Sequence, residues 1–218
     1  MTKVKICGNT NLEDAKLAAG LGADYLGFIF AESKRQIGEQ TAADIIAGLP
    51  DFENFVGVFF NQPREIVEGL ASRLDLKHLQ FHGDETALYC QYFMDKGYQV
   101  IKTFRIKDSM SLKRIDEYNV SAFLFDAYSK DEKGGTGQTF NWDLILDKAY
   151  LRDRLFLAGG LNANNLREAI QRVAPLAVDV ASGVESHPGK KDPALLEAFI
   201  RIAKEGQTQD ARKNPLPA

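Results

Sequence analysis

Eight short apolar runs, each followed by a longer amphipathic stretch, constrain the fold of this chain more than any other feature. The runs cover residues 4–7, 24–30, 54–60, 77–81, 99–104, 122–126, 155–158 and 177–180. Helical patterns fall near 11–21, 41–48, 63–73, 84–96, 109–117, 141–147, 162–172 and 192–203. Alternation of this kind predicts repeated βα units. The run from Phe55 to Phe60, rich in valine and phenylalanine, reads as a strand buried on both faces, as parallel strands under helices are. Pro63 in a first helical turn and Asp192 before another predict helix starts, and Gly22, Gly48 and Gly97 stand where helices should stop.

Eight such units predict a single-domain α/β fold, a (β/α)8 TIM barrel over residues 1–205. The rival is an open doubly wound sheet, which usually carries its phosphate-binding glycines after the first strand. Here the glycine clusters Gly134-Gly135-Thr136-Gly137, Gly159-Gly160 and Ser182-Gly183 follow the sixth, seventh and eighth runs, the late position that a barrel uses. Residues 206–218 (GQTQDARKNPLPA) are polar, contain proline and lack apolar periodicity. They are expected to form a flexible tail outside the domain.

Composition narrows the function class. A net charge of -3 with both signs interspersed argues against a nucleic-acid or anionic-membrane binder, which would show a basic stripe. The two cysteines, Cys7 and Cys90, are far apart, so neither a disulfide framework nor a metal knuckle is indicated. With only His78, His82 and His187 in the chain, a histidine-rich metal site is not expected. No stretch approaches the roughly 18 apolar residues that span a bilayer, and the N-terminus enters a strand without a signal-peptide pattern. A cytoplasmic enzyme for a small molecule is the expectation.

Strand C-terminal ends converge on one mouth of a barrel, where catalytic residues sit. Cys7 closes the first run and Asp126 the sixth. A buried cysteine often serves only as a small apolar residue. Cys7, however, precedes Gly8-Asn9-Thr10-Asn11, a helix start whose amide dipoles would favour the thiolate. Asp126 follows Phe123-Leu124-Phe125, where desolvation favours the protonated carboxyl; the alternative is a carboxylate that braces the next loop. A thiol base and a carboxyl acid across one pocket suit proton abstraction beside a carbonyl or imine. Gly159-Gly160 and Ser182-Gly183 run from strand toward helix, so their amides could hold a phosphate. Arg35, in the loop after the second strand, could grip a carboxylate or simply be solvated. His82, at the end of the fourth, could meet substrate or satisfy a backbone group.

These residues stand in an ordered set of motifs. The set runs Lys5-Ile6-Cys7-Gly8, Gly27-Phe28-Ile29-Phe30 with Ser33 and Arg35, Val56-Gly57-Val58-Phe59, Gln80-Phe81-His82-Gly83 and Phe125-Asp126. It continues with Gly134-Gly135-Thr136-Gly137, Phe140-Asn141-Trp142, Ala158-Gly159-Gly160-Leu161, Asp179 to Glu185, Gly189 and Lys191-Asp192. In nearly its whole length the chain resembles the phosphoribosylanthranilate isomerase family of tryptophan biosynthesis.

The resemblance implies an Amadori rearrangement of an aminoaldose phosphate to an aminoketose phosphate, with no cofactor and no metal. It implies Asp126 as general acid and Cys7 as general base. Arg35 matches the arginine that meets the anthranilate carboxylate, and His82 and Asp179 are further expected substrate contacts. The phosphate would lie against Gly135, Gly137, Gly159, Gly160, Ser182 and Gly183. The expected partner is a phosphorylated aminosugar, with no nucleic acid and no membrane, bound by a monomer or weak homodimer.

The chain departs from the family pattern at Lys34, where a proline is usual, at Phe81, where leucine is usual, and at Asn141, where aspartate is usual. A neighbouring family with the same fold and phosphate turns, indoleglycerol phosphate synthase, relies on lysine and glutamate at strand ends. This chain has Cys7, Phe30 and Phe60 there. A third reading, a non-catalytic sugar-phosphate binder, sits poorly with the presence of both Cys7 and Asp126.

Overall fold

A computed structural model describes residues 1–127 and 139–205. All eight expected strands form, as β1 (Lys3–Ile6), β2 (Tyr25–Ile29), β3 (Phe55–Phe59), β4 (His78–Phe81), β5 (Gln99–Ile106), β6 (Ala122–Ala127), β7 (Leu155–Leu157) and β8 (Ala177–Val180). They pair in parallel in chain order, and β8 pairs with β1 to close the barrel. An open doubly wound sheet is thereby excluded. The helices are α1 (Leu12–Gly20), α2 (Glu39–Ala47), α3 (Arg64–Arg73), α4 (Ala87–Asp95), α5 (Leu166–Val173) and α6 (Pro193–Glu205). A small antiparallel pair, β9 (Glu185–His187) and β10 (Lys190–Lys191), lies between β8 and α6.

Of the expected helix starts, Asp192 caps as expected, and Asn11 and Thr86 add caps that the sequence reading did not single out. The Asn11 side chain accepts from the Asp14 amide, Thr86 caps α4, and Asp192 accepts from the amides of Ala194 and Leu195. Gly22 and Gly97 take positive φ just past α1 and α4, a conformation that glycine adopts without steric cost.

Two expected helices do not form. Residues 109–117 make two short 3₁₀ turns, Ser109–Leu112 and Ile115–Glu117. The segment after β6 is a 3₁₀ run, Trp142–Arg154, broken at Lys148. The cause is local. Asp108 and Ser111 satisfy each other's backbone amides in a capping box, and Asn141 accepts from the Asp143 amide. Short polar side chains that bond nearby backbone compete with helix propagation.

The core has two compartments. A large one lies between barrel and helices and includes Phe28, Phe59, Phe81, Phe93, Phe123 and Phe125. A smaller one fills the barrel with Tyr25, Val56, Ile101, Ala122, Leu124, Phe156, Ala158 and Ala177. Side chains alternate across a strand with period two. Asp126 therefore shares the inward face of β6 with Ala122 and Leu124, and Asp179 shares that of β8 with Ala177. Phe81 points outward, with its ring 5.1 Å from Tyr89 and 5.2 Å from Phe93 of α4. The Phe81 departure thus concerns packing behind the barrel wall.

Candidate active site

On β1 the inward positions are Lys5 and then Cys7, the latter held at the rim by its amide, which donates to the Val180 carbonyl at 2.8 Å. Lys5 is fully buried and pairs with Asp179, its register partner on β8, at 2.8 Å. The neighbouring inward position on β2 is Gly27. A Cβ there would come within 2.9 Å of Cys7 Sγ and 3.1 Å of Lys5 Nζ, so the glycine keeps open the space in which sulfur and ammonium meet. Asp179 thus reaches Lys5 and the sulfur's neighbourhood.

The electrostatics correct one expectation. The thiol of Cys7 is pushed up rather than down: burial dominates, and Asp179 adds to it, while Lys5 and then Lys191 pull the other way. The helix start does not reach the sulfur. Gly8 turns away at φ +71 and α1 begins only at Leu12. Burial works against the Lys5 ammonium too, but Asp179 and Cys7 together hold its pKa above the ordinary lysine value.

Behind Cys7 a second charged group closes the rim. Lys191 Nζ donates to the Cys7 carbonyl at 2.6 Å and pairs with Glu185 at 3.0 Å. Glu185 also receives Arg35, whose Nε and Nη2 make contacts of 2.7–3.0 Å with its two oxygens. Arg35 lies directly over Gly8, where a Cβ would come within 2.7 Å of its Cδ. The arginine is therefore held in place rather than waving in a solvated loop.

Across the mouth, Asp126 Oδ1 accepts from the Ala127 amide at 2.8 Å, and Oδ2 lies 3.4 Å from His82 Nε2. Gln80, two residues before His82 on the same inward face, donates its amide to His82 Nδ1 at 3.0 Å. With Nδ1 accepting from that amide, the ring proton would lie on Nε2, toward the Asp126 carboxyl. The loop carrying His82 is anchored by Lys102 of β5, which donates to the carbonyls of Phe81 and Gly83 and to Glu85.

After β7 and β8 the backbone is drawn tight. Gly159 has φ +85, and a Cβ on it would strike the Ala127 amide; one on Gly183 would strike the Leu161 carbonyl oxygen. The three strand ends are thereby packed together without intervening side chains. Among the described residues, no backbone acceptor takes the amides of Gly160, Ser182 or Gly183. The segment after β8 is a single 3₁₀ turn, Ser182–Val184, and not the start of a helix. Gly135 and Gly137 lie outside the described residues.

The structure thus brings Cys7, Asp179, Arg35, His82 and Asp126 to one rim with the Gly159-Gly160 and Ser182-Gly183 turns. Sequence reasoning gave no role to Lys5, Gln80, Glu185 and Lys191, which it quoted only within motifs, and missed Lys102 altogether. The period-two rule would have found two of these, since Lys5 precedes Cys7 by two and Gln80 precedes His82 by two. Among the described residues, no group of three or more His, Cys, Asp or Glu side chains could hold a metal ion, and no helix is long and apolar enough to cross a membrane.

A closed eight-stranded parallel barrel with its polar side chains gathered at the C-terminal rim defines a (β/α)8-barrel enzyme. The chain belongs to the N-(5'phosphoribosyl)anthranilate (PRA) isomerase family, whose model matches residues 4–202. N-(5'-phosphoribosyl)anthranilate isomerase of Geobacter sulfurreducens is 51% identical over 205 residues, covering 94% of this chain and 99% of the relative. The Pelobacter propionicus protein of the same name is 47% identical over 213 residues, covering 97% and 100%. Phosphoribosyl anthranilate isomerase of Thermotoga maritima superposes with a TM-score of 0.85 at 42% identity, covering 94% of this chain and 99% of that one. A phosphoribosyl anthranilate isomerase in complex with reduced 1-(o-carboxyphenylamino)-1-deoxyribulose 5-phosphate superposes at 0.81 with 40% identity, covering 94% and 99%.

Proposed function

We propose that this chain converts N-(5-phosphoribosyl)anthranilate to 1-(2-carboxyphenylamino)-1-deoxyribulose 5-phosphate, the Amadori step of tryptophan biosynthesis, in the cytoplasm and without a cofactor. Asp126 gives its proton to the furanose ring oxygen, and the C1–O bond breaks to leave an iminium at C1. Cys7, as thiolate, then takes the C2 proton, and the electron pair moves to neutralise the iminium as an enolamine. As C1 gains a proton and the C2 hydroxyl loses one, the ketone forms and both protein groups return to their starting states. An acid and a base of this kind each supply about 10²–10⁴-fold.

The observation that carries this reading is the placement of Cys7 and Asp126 on inward positions at the rim of β1 and β6, on different sides of one mouth. The turns after β7 and β8, packed against each other at Gly183 and Leu161, support a phosphate between them. Arg35, held over Gly8 by Glu185 at the same rim, would meet the substrate carboxylate.

Loss of phosphoribosylanthranilate fluorescence on the purified chain tests the activity. Asp126→Asn is expected to nearly abolish turnover and Cys7→Ser to lower it strongly, whereas Cys90→Ser, a change in α4 behind the barrel wall, changes it little. Wild-type turnover by Cys7→Ser would end the base assignment.

A further inference from the structure

The Cys7 sulfur is buried, and burial opposes the thiolate that a proton acceptor must be. Something must offset that cost. Three cations stand around the group, Lys5, Lys191 and Arg35, against two carboxylates, Asp179 and Glu185. With all three bases protonated the cluster carries one positive charge in excess while Cys7 is a thiol and balances when it is a thiolate, although burial pulls the Lys191 pKa below the ordinary lysine value against the attraction of Glu185.

The cations are not equivalent. Lys191 reaches the carbonyl of Cys7, not its sulfur, and is paired with Glu185. Arg35 is taken up on its Nε side by the same carboxylate. Lys5 rises from the same inward row as Cys7, and the side-chain-free face of Gly27 lies against both Sγ and Nζ. Asp179 holds the ammonium at 2.8 Å and keeps it charged in a site where an isolated lysine would lose its proton.

We propose that Lys5 is a positioning residue for the reaction: its ammonium, pinned beside Cys7 by Asp179 in the space that Gly27 leaves, offsets part of the cost of burial and so favours the thiolate form that takes the substrate proton. Lys5 keeps its own proton throughout. The sulfur alone changes protonation, from thiolate to thiol as the C2–H bond breaks, and back as the enolamine becomes ketone. This inference rests on Cys7 being the base, and its test is independent of turnover.

The test is alkylation of Cys7 by iodoacetamide as a function of pH, in the full chain carrying Cys90→Ser so that one thiol is read. Lys5→Met, similar in volume and uncharged, is compared with the parent. Lys5→Met/Asp179→Asn is compared with Asp179→Asn, a pair in which no variant lacking Lys5 must bury an unmatched carboxylate. In both backgrounds the loss of Lys5 is expected to move the alkylation midpoint to higher pH, leaving about a tenth or less of the parent's thiolate at pH 7. The rising limb of kcat/KM with pH is expected to move the same way. The plateau rate at high pH reports access to the sulfur, so a purely structural disturbance would change the plateau and leave the midpoint. If Lys5→Met fails to fold, the comparison in the Asp179→Asn background decides. An unmoved midpoint overturns the role of Lys5, whereas a fully active Cys7→Ser overturns the base assignment and leaves the titration result standing.

Discussion

His82 Nε2 faces Asp126 Oδ2 at 3.4 Å, and its other ring nitrogen is held by Gln80 at 3.0 Å. The imidazole is thereby turned so that its N–H points at the carboxyl, at a distance too long for a strong hydrogen bond. In the proposed reaction Asp126 gives up its proton, and negative charge would develop on the oxygen that the ring faces. A short closing movement would turn a loose contact into a charge-assisted bond.

Gln80→Leu tests that chain without touching either the acid or the ring. It is expected to lower kcat about tenfold while leaving KM near wild type, since a freed imidazole can choose the other tautomer. His82→Asn should lower kcat further. Steady-state kinetics by the fluorescence assay read both, and a Gln80→Leu enzyme with unaltered kcat would remove Gln80 from the mechanism.

Arg35→Lys probes the carboxylate grip. Lysine cannot reproduce the two-point contact with Glu185, so the ammonium would sit loosely above Gly8. A KM rise of about tenfold with a smaller change in kcat is expected, because the grip acts on substrate and transition state alike. A change confined to kcat would place Arg35 in the chemistry instead.

Acid stability should depend on Asp14. This carboxylate is buried at the start of α1 and accepts from Lys190, from the Lys191 amide and from Asn11. Burial pushes its pKa up, but these bonds outweigh it and hold the pKa below the ordinary aspartate value. A depressed folded-state pKa gives stability that is fully present above the unfolded value of about 3.9 and is lost as pH falls through the folded one. Asp14→Asn is therefore expected to lower the urea midpoint at pH 7 by the equivalent of about 1.5–3 kcal/mol, and the gap to wild type should narrow below about pH 4. A gap that stays constant with pH would mean that shape, not charge, holds β10 to α1.

How much of this was legible in the sequence follows from the range of the interactions involved. Strands such as β3 and β6 were readable because uninterrupted apolar runs encode burial locally, and the stops at Gly22 and Gly97 because only backbone conformation was at issue. The Ser109–Leu112 turn was not, since apolar spacing there suits a helix while Asp108 and Ser111 tie up the backbone instead. The rim positions of Cys7 and Asp126 were legible, but the charge cluster around Cys7 was not. Lys5 meets Asp179 across 174 positions and Arg35 meets Glu185 across 150. Nothing near Arg35 says that a glutamate closes over it, and nothing near Cys7 says that burial outweighs the adjacent helix.

Gly183→Ala carries the last prediction, and it bears on the turn that joins two strand ends. A methyl group there would strike the carbonyl oxygen of Leu161, a backbone atom in the turn after β7 that cannot swing away as a side chain could. The turns after β7 and β8 must then separate, and the amides of Gly160, Ser182 and Gly183 would no longer converge. Because those amides are proposed to hold the phosphate, which does not react, the damage should fall on binding: KM rises by about tenfold or more, with kcat reduced less. Inorganic phosphate as a competitive inhibitor supplies a second reading, and its inhibition constant should rise in parallel. An alanine variant whose KM rises while phosphate still competes as before would place the phosphate elsewhere on the rim.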